Sequence, residues 1–122
     1  MTLPHVFLVD DEAFMLLTLG GILRAAGYVV ESFAHPAALL ARLSAADRGC
    51  VVLDLQMPGM SGLELQRTLG ARGIVMPLIF VSGSRDAAAA LIAMKQGARA
   101  FLAKPIDPKA LLTVVARAFG IR

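Results

Sequence analysis

Five short apolar runs punctuate the chain, at residues 6–9, 29–33, 50–53, 78–81 and 100–103, and a helix-forming stretch follows each one. A short continuous apolar run bounded by charge or turn residues is the pattern of a strand buried on both faces. Strict strand–helix alternation with short connections implies right-handed crossovers, and therefore a parallel sheet with helices on both of its faces. The second run differs, because Val30, Glu31, Ser32 and Phe33 alternate in polarity and predict a more exposed edge strand. The expected fold is a doubly wound α/β domain built on a five-stranded parallel sheet of order 2-1-3-4-5.

The intervening helices are expected over residues 12–26, 35–43, 63–69, 86–96 and 107–119. Gly27 and Gly97 stop the first and fourth, and Gly70 with Gly73 closes the third. Pro36 and Pro108 are tolerated in the first turn of their helices, where the missing N–H has no helical partner, and Asp107 is placed to cap the last one. At 122 residues the chain is read as one domain spanning residues 1–122, large enough for a single core.

Several function classes fall away on composition. A single cysteine, Cys50, excludes an internal disulfide, and without a Cys/His cluster a structural zinc site is not expected. The first residues lack a basic n-region, and the acidic run Asp10-Asp11-Glu12 interrupts any signal-peptide core. No apolar run approaches the roughly 18 residues that a membrane-spanning helix needs, so the 57% hydrophobic content is read as that of an alanine-rich cytoplasmic domain. The net charge of +3 is spread over dispersed residues, with 6% aromatics and no Lys/Arg run, so no direct nucleic-acid contact is expected.

Chemistry is expected at one edge of the sheet. In an open parallel α/β sheet, ligands sit beyond the carboxyl ends of the strands, and here those ends carry Asp10 and Asp11, Asp54, Ser82 and Lys104. Each residue alone has an ordinary explanation: a helix cap, a turn, a solvated lysine. Their convergence does not. The first and third strands are neighbours flanking the topological switch point, so a carboxylate from each can share one cation. Three acids against one lysine leave two uncompensated negative charges, which one divalent ion would neutralise, and oxygen ligands suit Mg²⁺ or Mn²⁺. The loop after Asp54 is stiffened by Pro58, opened to close approach by Gly59 and Gly62, and offers the Gln56 carbonyl to a metal shell. Ser82 and Lys104 supply the hydroxyl and cationic donors that an incoming phosphate requires.

The stretches Leu8-Val9-Asp10-Asp11, Leu53-Asp54-Leu55-Gln56-Met57-Pro58-Gly59-Met60-Ser61-Gly62, Phe80-Val81-Ser82-Gly83 and Phe101-Leu102-Ala103-Lys104-Pro105 resemble the receiver domain of two-component response regulators, typified by the bacterial chemotaxis regulator and flavodoxin-like in fold. The resemblance runs from Val6 to about Phe119, and is greatest to receivers of the nitrogen-fixation and nodulation regulator type, which usually precede a helix-turn-helix domain. It implies a phosphorylation-controlled switch in which Asp54 accepts the phosphoryl group and Asp11, Asp54 and the Gln56 carbonyl bind Mg²⁺ with Asp10 assisting through water. Ser82 and Lys104 would contact the phosphoryl group, and Ser82 and Phe101 would form the switch. The resemblance also implies a histidine kinase or histidine phosphotransfer domain as donor, an output face on the fourth helix and fifth strand that controls transcription, and a homodimer on phosphorylation. Two further positions, Gln56 and Ser84, would tune hydrolysis, neither being a carboxylate that could activate water.

In this reading the domain is not an enzyme, though it assists its own phosphorylation and dephosphorylation. Two features depart from the simplest member of the family. Phe101 has no phenolic hydroxyl, so switching rests on packing, and the first helix carries Phe14 and Leu17 beside its core stripe, which marks a partner surface unless Phe119 covers them. A Mg-dependent phosphatase with an aspartyl nucleophile is the enzymatic alternative, but the second aspartate it needs two positions on is Gln56 here. A nucleotide or flavin module would place phosphate against Asp10-Asp11-Glu12 without a glycine-rich loop. A phosphorylation-independent scaffold remains the third alternative, against which Asp11, Asp54 and Lys104 all weigh.

Overall fold

The computed structural model describes residues 4–83 and 87–120. Strands and helices alternate throughout: β1 (His5–Val9), α1 (Ala13–Ala25), β2 (Val29–Phe33), α2 (Pro36–Arg42), β3 (Cys50–Asp54), α3 (Gly62–Ala71), β4 (Leu78–Ser82), α4 (Ala87–Lys95), β5 (Ala100–Ala103) and α5 (Pro108–Ala118). All neighbouring strands are parallel, in the order β2-β1-β3-β4-β5. The doubly wound fold expected from the alternation is therefore present.

The period-2 geometry of the strands divides the core between two faces. Phe7, Val9, Val51, Leu53 and Phe80 point to one side and pack with Leu39, Leu65, Leu69 and Ala93 of α2, α3 and α4. Val6, Leu8, Val52, Ile79 and Val81 point to the other and pack with Leu19 and Leu23 of α1 and Leu111 and Val115 of α5. Burying such a side chain contributes about 1.5–3 kcal/mol. Cys50 is fully buried in the second cluster, and burial pushes its thiol up to about 12, which makes it a packing residue.

Local chemistry sets the helix ends. Ser61 accepts the Glu64 N–H at 3.1 Å, so α3 starts on a Ser-x-x-Glu cap, and Asp107 accepts the Lys109 N–H at 3.1 Å before Pro108. The helices at 12–26, 35–43 and 107–119 are each one residue shorter at both ends than the sequence suggests, because Glu12, His35 and Asp107 keep extended backbone as N-caps. α3 is longer than expected: it begins at Gly62 and continues through Gly70 to Ala71, with Gly73 at φ 72° as the turn residue. The expected start of the fourth helix, Asp86, lies outside the described residues, as does Ser84.

Register then aligns the chemistry. Val9 pairs with Leu53, Asp54 with Val81, and Ser82 with Ala103, so Asp10, Asp54, Ser82 and Lys104 leave the sheet at one end.

Candidate functional site

Asp10, 1% exposed, follows β1, and its Oδ1 accepts the Glu12 N–H at 2.9 Å. Asp54, 5% exposed, ends β3, and its Oδ1 accepts the Gln56 N–H at 3.1 Å. Each carboxylate is thus held by a backbone N–H two residues on, which fixes its orientation and leaves Oδ2 for other partners. Lys104 takes both. Its Nζ donates to Asp10 Oδ2 at 3.0 Å, to Asp54 Oδ2 at 3.1 Å and to Glu12 Oε1 at 3.2 Å. An ammonium has three donors, so these carboxylates occupy its full capacity. The Lys104 N–H also donates to the Ser82 carbonyl at 2.8 Å, and the following bond, Lys104–Pro105, is cis.

The loop after Asp54 is shaped by one close approach. A Cβ on Gly62 would collide with the Asp54 carbonyl oxygen and lie 2.9 Å from both Leu55 Cα and the Phe80 ring. Only glycine lets α3 start there, with the Gly62 N–H donating to the Leu55 carbonyl at 2.8 Å. Gly59 turns the loop with φ at 85°.

Asp11, Glu12, Asp54, Gln56, Ser82, Gly83 and Lys104 line one cavity of about 400 Å³. Burial pushes the Asp10 carboxyl above its ordinary range, against the pull of the Glu12 N–H and Lys104, with Asp54 adding repulsion. Burial alone would lower Lys104, but its hydrogen bonds to Asp10 and Asp54 outweigh it and raise the ammonium above its ordinary value. The Lys104 charge is therefore held by its partners, whereas at Asp10 the cost of burial exceeds what the partners return.

The sequence-selected residues thus come together, with two qualifications. Asp11 is exposed on the cavity wall, whereas the three carboxylates whose ligand atoms lie within 4.8 Å of one another belong to Asp10, Glu12 and Asp54. Glu12 was not singled out by sequence reasoning, although its place directly after Asp10-Asp11 was a signal that could have found it. Phe101 lies outside the cavity on β5, half-buried, with its ring stacked on Phe80 at 6.3 Å between centroids.

Residues 6–116 match the model of the response regulator receiver domain. The chain belongs to that family. It is 40% identical to the transcriptional regulatory protein FixJ of Azorhizobium caulinodans over 115 residues, covering 94% of this chain and 54% of that protein. It is 36% identical to the response regulator protein TodT of Pseudomonas putida, covering 95% of this chain and 51% of that one. The chain thus spans about half the length of the curated relatives it matches. The crystal structure of FixJ-N superposes with a TM-score of 0.89 at 36% identity over 97% of this chain and 94% of that one. The response regulator StyR gives 0.91 at 39% identity over 98% of this chain and 60% of that one. This is a receiver domain with the fold expected from its sequence, and among its described residues no helix is long and apolar enough to cross a membrane.

Proposed function

We propose that this receiver domain accepts a phosphoryl group on Asp54 from a histidine kinase or histidine phosphotransfer domain, in a divalent-cation-dependent reaction, and relays the change through the α4–β5 surface to control transcription. The observation that carries this reading is the Lys104 ammonium shared among Asp10, Glu12 and Asp54 at the carboxyl ends of the strands. A carboxylate oxygen of Asp54 forms the new O–P bond as the P–N bond of a phosphohistidine breaks, and the departing imidazole nitrogen keeps the bonding pair. A carboxylate nucleophile has no proton for a general base to remove.

Lys104 can turn a donor toward phosphoryl oxygens only when one of its three carboxylates finds another positive partner. The donor set fits such a partner: every available ligand is an oxygen, three carboxylate oxygens cluster within 4.8 Å, and the open cavity leaves room for retained water. Asp10, Asp11, Asp54 and the Gln56 carbonyl would hold Mg²⁺ or Mn²⁺ with Glu12 at the rim, and a bound dication supplies charge neutralisation for the phosphoryl oxygens. Ser82 adds a hydroxyl donor. Its engagement biases a two-state equilibrium in which Phe101 repacks against Phe80, a switch made by packing because Phe101 has no hydroxyl.

Intact-mass spectrometry with acetyl phosphate tests the assignment. One phosphoryl group is expected with Mg²⁺, and none in Asp54→Ala or with excess chelator. Undiminished labelling in either case overturns it.

The donor docks on α1. Phe14 and Leu17 are 76% and 75% exposed there, and Phe119 does not cover them because its ring stacks on Tyr28 at 5.6 Å. Phe14→Ser should slow transfer from the cognate kinase at least about tenfold, the scale of one lost apolar contact. Acetyl phosphate labelling of that variant should be unchanged, and equal slowing with both donors would contradict the docking face.

A further inference from the structure

Helix α4 is weakly anchored to the fold by packing. Its one buried residue is Ala93, with Ala89 partly buried beside it, where α3 buries Leu65 and Leu69 and α5 buries Leu111 and Val115. An alanine methyl removes little apolar area from water, so the rest of the hold has to be polar. Gln66 of α3, 7% exposed, donates from Nε2 to the Ala93 carbonyl at 3.1 Å, and the same carbonyl accepts the Ala98 N–H at 3.0 Å, which closes the C-terminal turn of α4. The other end of the Gln66 amide is stranded. Its Oε1 has under 1 Å² of accessible surface and no hydrogen-bond partner among the described residues. Turning the amide over would set oxygen against the Ala93 oxygen and strand Nε2 instead. The seam between α3 and α4 therefore closes only with one polar atom desolvated and unpaired. The Nε2 bond offsets that cost incompletely, because the carbonyl it reaches is already satisfied by Ala98.

We propose that Gln66 is a strained latch on α4: in the unphosphorylated protein the closed α3–α4 seam exchanges with an open form in which the C-terminal turn of α4 draws away from α3 and water reaches Gln66 Oε1. The geometry gives this opening a path. Gln66, Leu69 and Gly70 of α3 and Gln96 and Gly97 beyond α4 line a cleft of about 220 Å³, so separating these walls admits solvent from a space already beside the seam. Hydration relieves the stranded acceptor, and the small apolar area of Ala93 is all that α4 exposes from its core in return. Two forms so balanced can be shifted by a ligand or a modification. Leu91, Ile92 and Met94 sit exposed on the same helix, so opening alters the surface proposed above as the output face. That link rests on the reading of Asp54 as phosphoacceptor, whereas the latch itself does not.

Amide hydrogen exchange of the 122-residue protein, followed by NMR at several low urea concentrations, tests this. The amides of Ala93, Met94, Gln96 and Ala98 should exchange through an opening with weak urea dependence, ahead of the strand amides of Val52 and Ile79, which should exchange by global unfolding. Gln66→Leu keeps most of the side chain's bulk, removes the stranded oxygen and leaves the Ala93 carbonyl its bond from Ala98. It should therefore slow exchange of the α4 amides about tenfold, the scale of an unpaired acceptor less one hydrogen bond. A residue that merely ties α4 down predicts the opposite sign, so faster α4 exchange in Gln66→Leu overturns the proposal. So does α4 exchange in the unsubstituted protein with the full urea dependence of the strands. Beryllofluoride with Mg²⁺ separates the latch from what drives it: the α4 signals should shift, and shift less in Gln66→Leu. If beryllofluoride leaves α4 unmoved while the exchange results hold, the latch stands and the reading of Asp54 fails.

Discussion

At the scale of single residues, Lys104 is the point on which the site turns. Its side chain is 13% exposed, and its partners differ sharply, with Asp10 at 2%, Asp54 at 7% and Glu12 at 60%. The two buried carboxylates need the ammonium because leaving either one unpaired exposes the cost of a buried charge. Glu12 does not, since water can solvate it when it lets go. Glu12 is thus the carboxylate most readily exchanged, which would release a Lys104 donor and free an oxygen for the proposed cation. Glu12→Gln should change stability by less than about 1 kcal/mol, as expected for an exposed pair. The same substitution should raise the Mg²⁺ concentration for half-maximal labelling several-fold, because one anionic oxygen leaves the cluster. Thermal unfolding and a Mg²⁺ titration of acetyl phosphate labelling measure the two effects. An unchanged Mg²⁺ midpoint would make Glu12 a solvated rim residue only.

At the scale of elements, helix glycines separate into those the structure uses and those it does not. Gly62 starts α3 against the Asp54 carbonyl, and Gly20 leaves space for Arg24, whose Nη1 a Cβ would approach to 2.9 Å while Nη2 donates to the Val30 carbonyl at 3.2 Å. Gly21, its neighbour in α1, faces nothing within 4 Å. Gly21→Ala should therefore stabilise the domain by about 1 kcal/mol, raising Tm by roughly 4 °C. Gly62→Ala should destabilise it by about 2 kcal/mol or more and weaken phosphorylation, because the displaced backbone belongs to Asp54. Differential scanning calorimetry of the two variants checks both signs, and like signs would refute the distinction. This contrast marks what the sequence could reveal. The number of strands and helices, and the placing of Asp10, Asp54, Ser82 and Lys104 at strand ends, follow from apolar periodicity, which is a local pattern, whereas the strand order comes with the resemblance to a known fold. Glu12 and the difference between Gly20 and Gly21 depend on which neighbour arrives from elsewhere in the chain, and an exposed-looking glutamate carries no local sign of that. The extension of α3 through Gly70 has the same cause: packing of Leu65 and Leu69 against the sheet outweighs one glycine's weak helix propensity.

At the scale of the whole molecule, the two faces of the sheet are covered, and what remains for partners lies on the helices' outer sides. α4 buries only Ala93, leaving Leu91, Ile92 and Met94 at 56%, 42% and 43% exposure. Around them, from α4 to α5, the described charges are mainly basic: Lys95, Arg99, Lys104, Lys109 and Arg117 against Asp107. Lys104 is engaged with carboxylates, but Lys95, Arg99, Lys109 and Arg117 still outnumber Asp107, so the outer surface keeps a positive bias. A two-fold dimer through this face sets each patch against its own copy, so like charges meet across the axis and attraction has to come from the apolar side chains. Salt screens the repulsion within about 10 Å at 0.1 M and leaves apolar contact largely intact. A phosphorylation-driven dimer through α4 and β5 should therefore tighten, or hold constant, as salt rises. Leu91→Glu should weaken it about tenfold or more, a change of roughly 1.4 kcal/mol. Sedimentation of the Mg²⁺-loaded protein with and without a phosphoryl mimic, at low and high salt, measures both effects, and a dimer that dissociates on adding salt would show that opposite charges hold it instead.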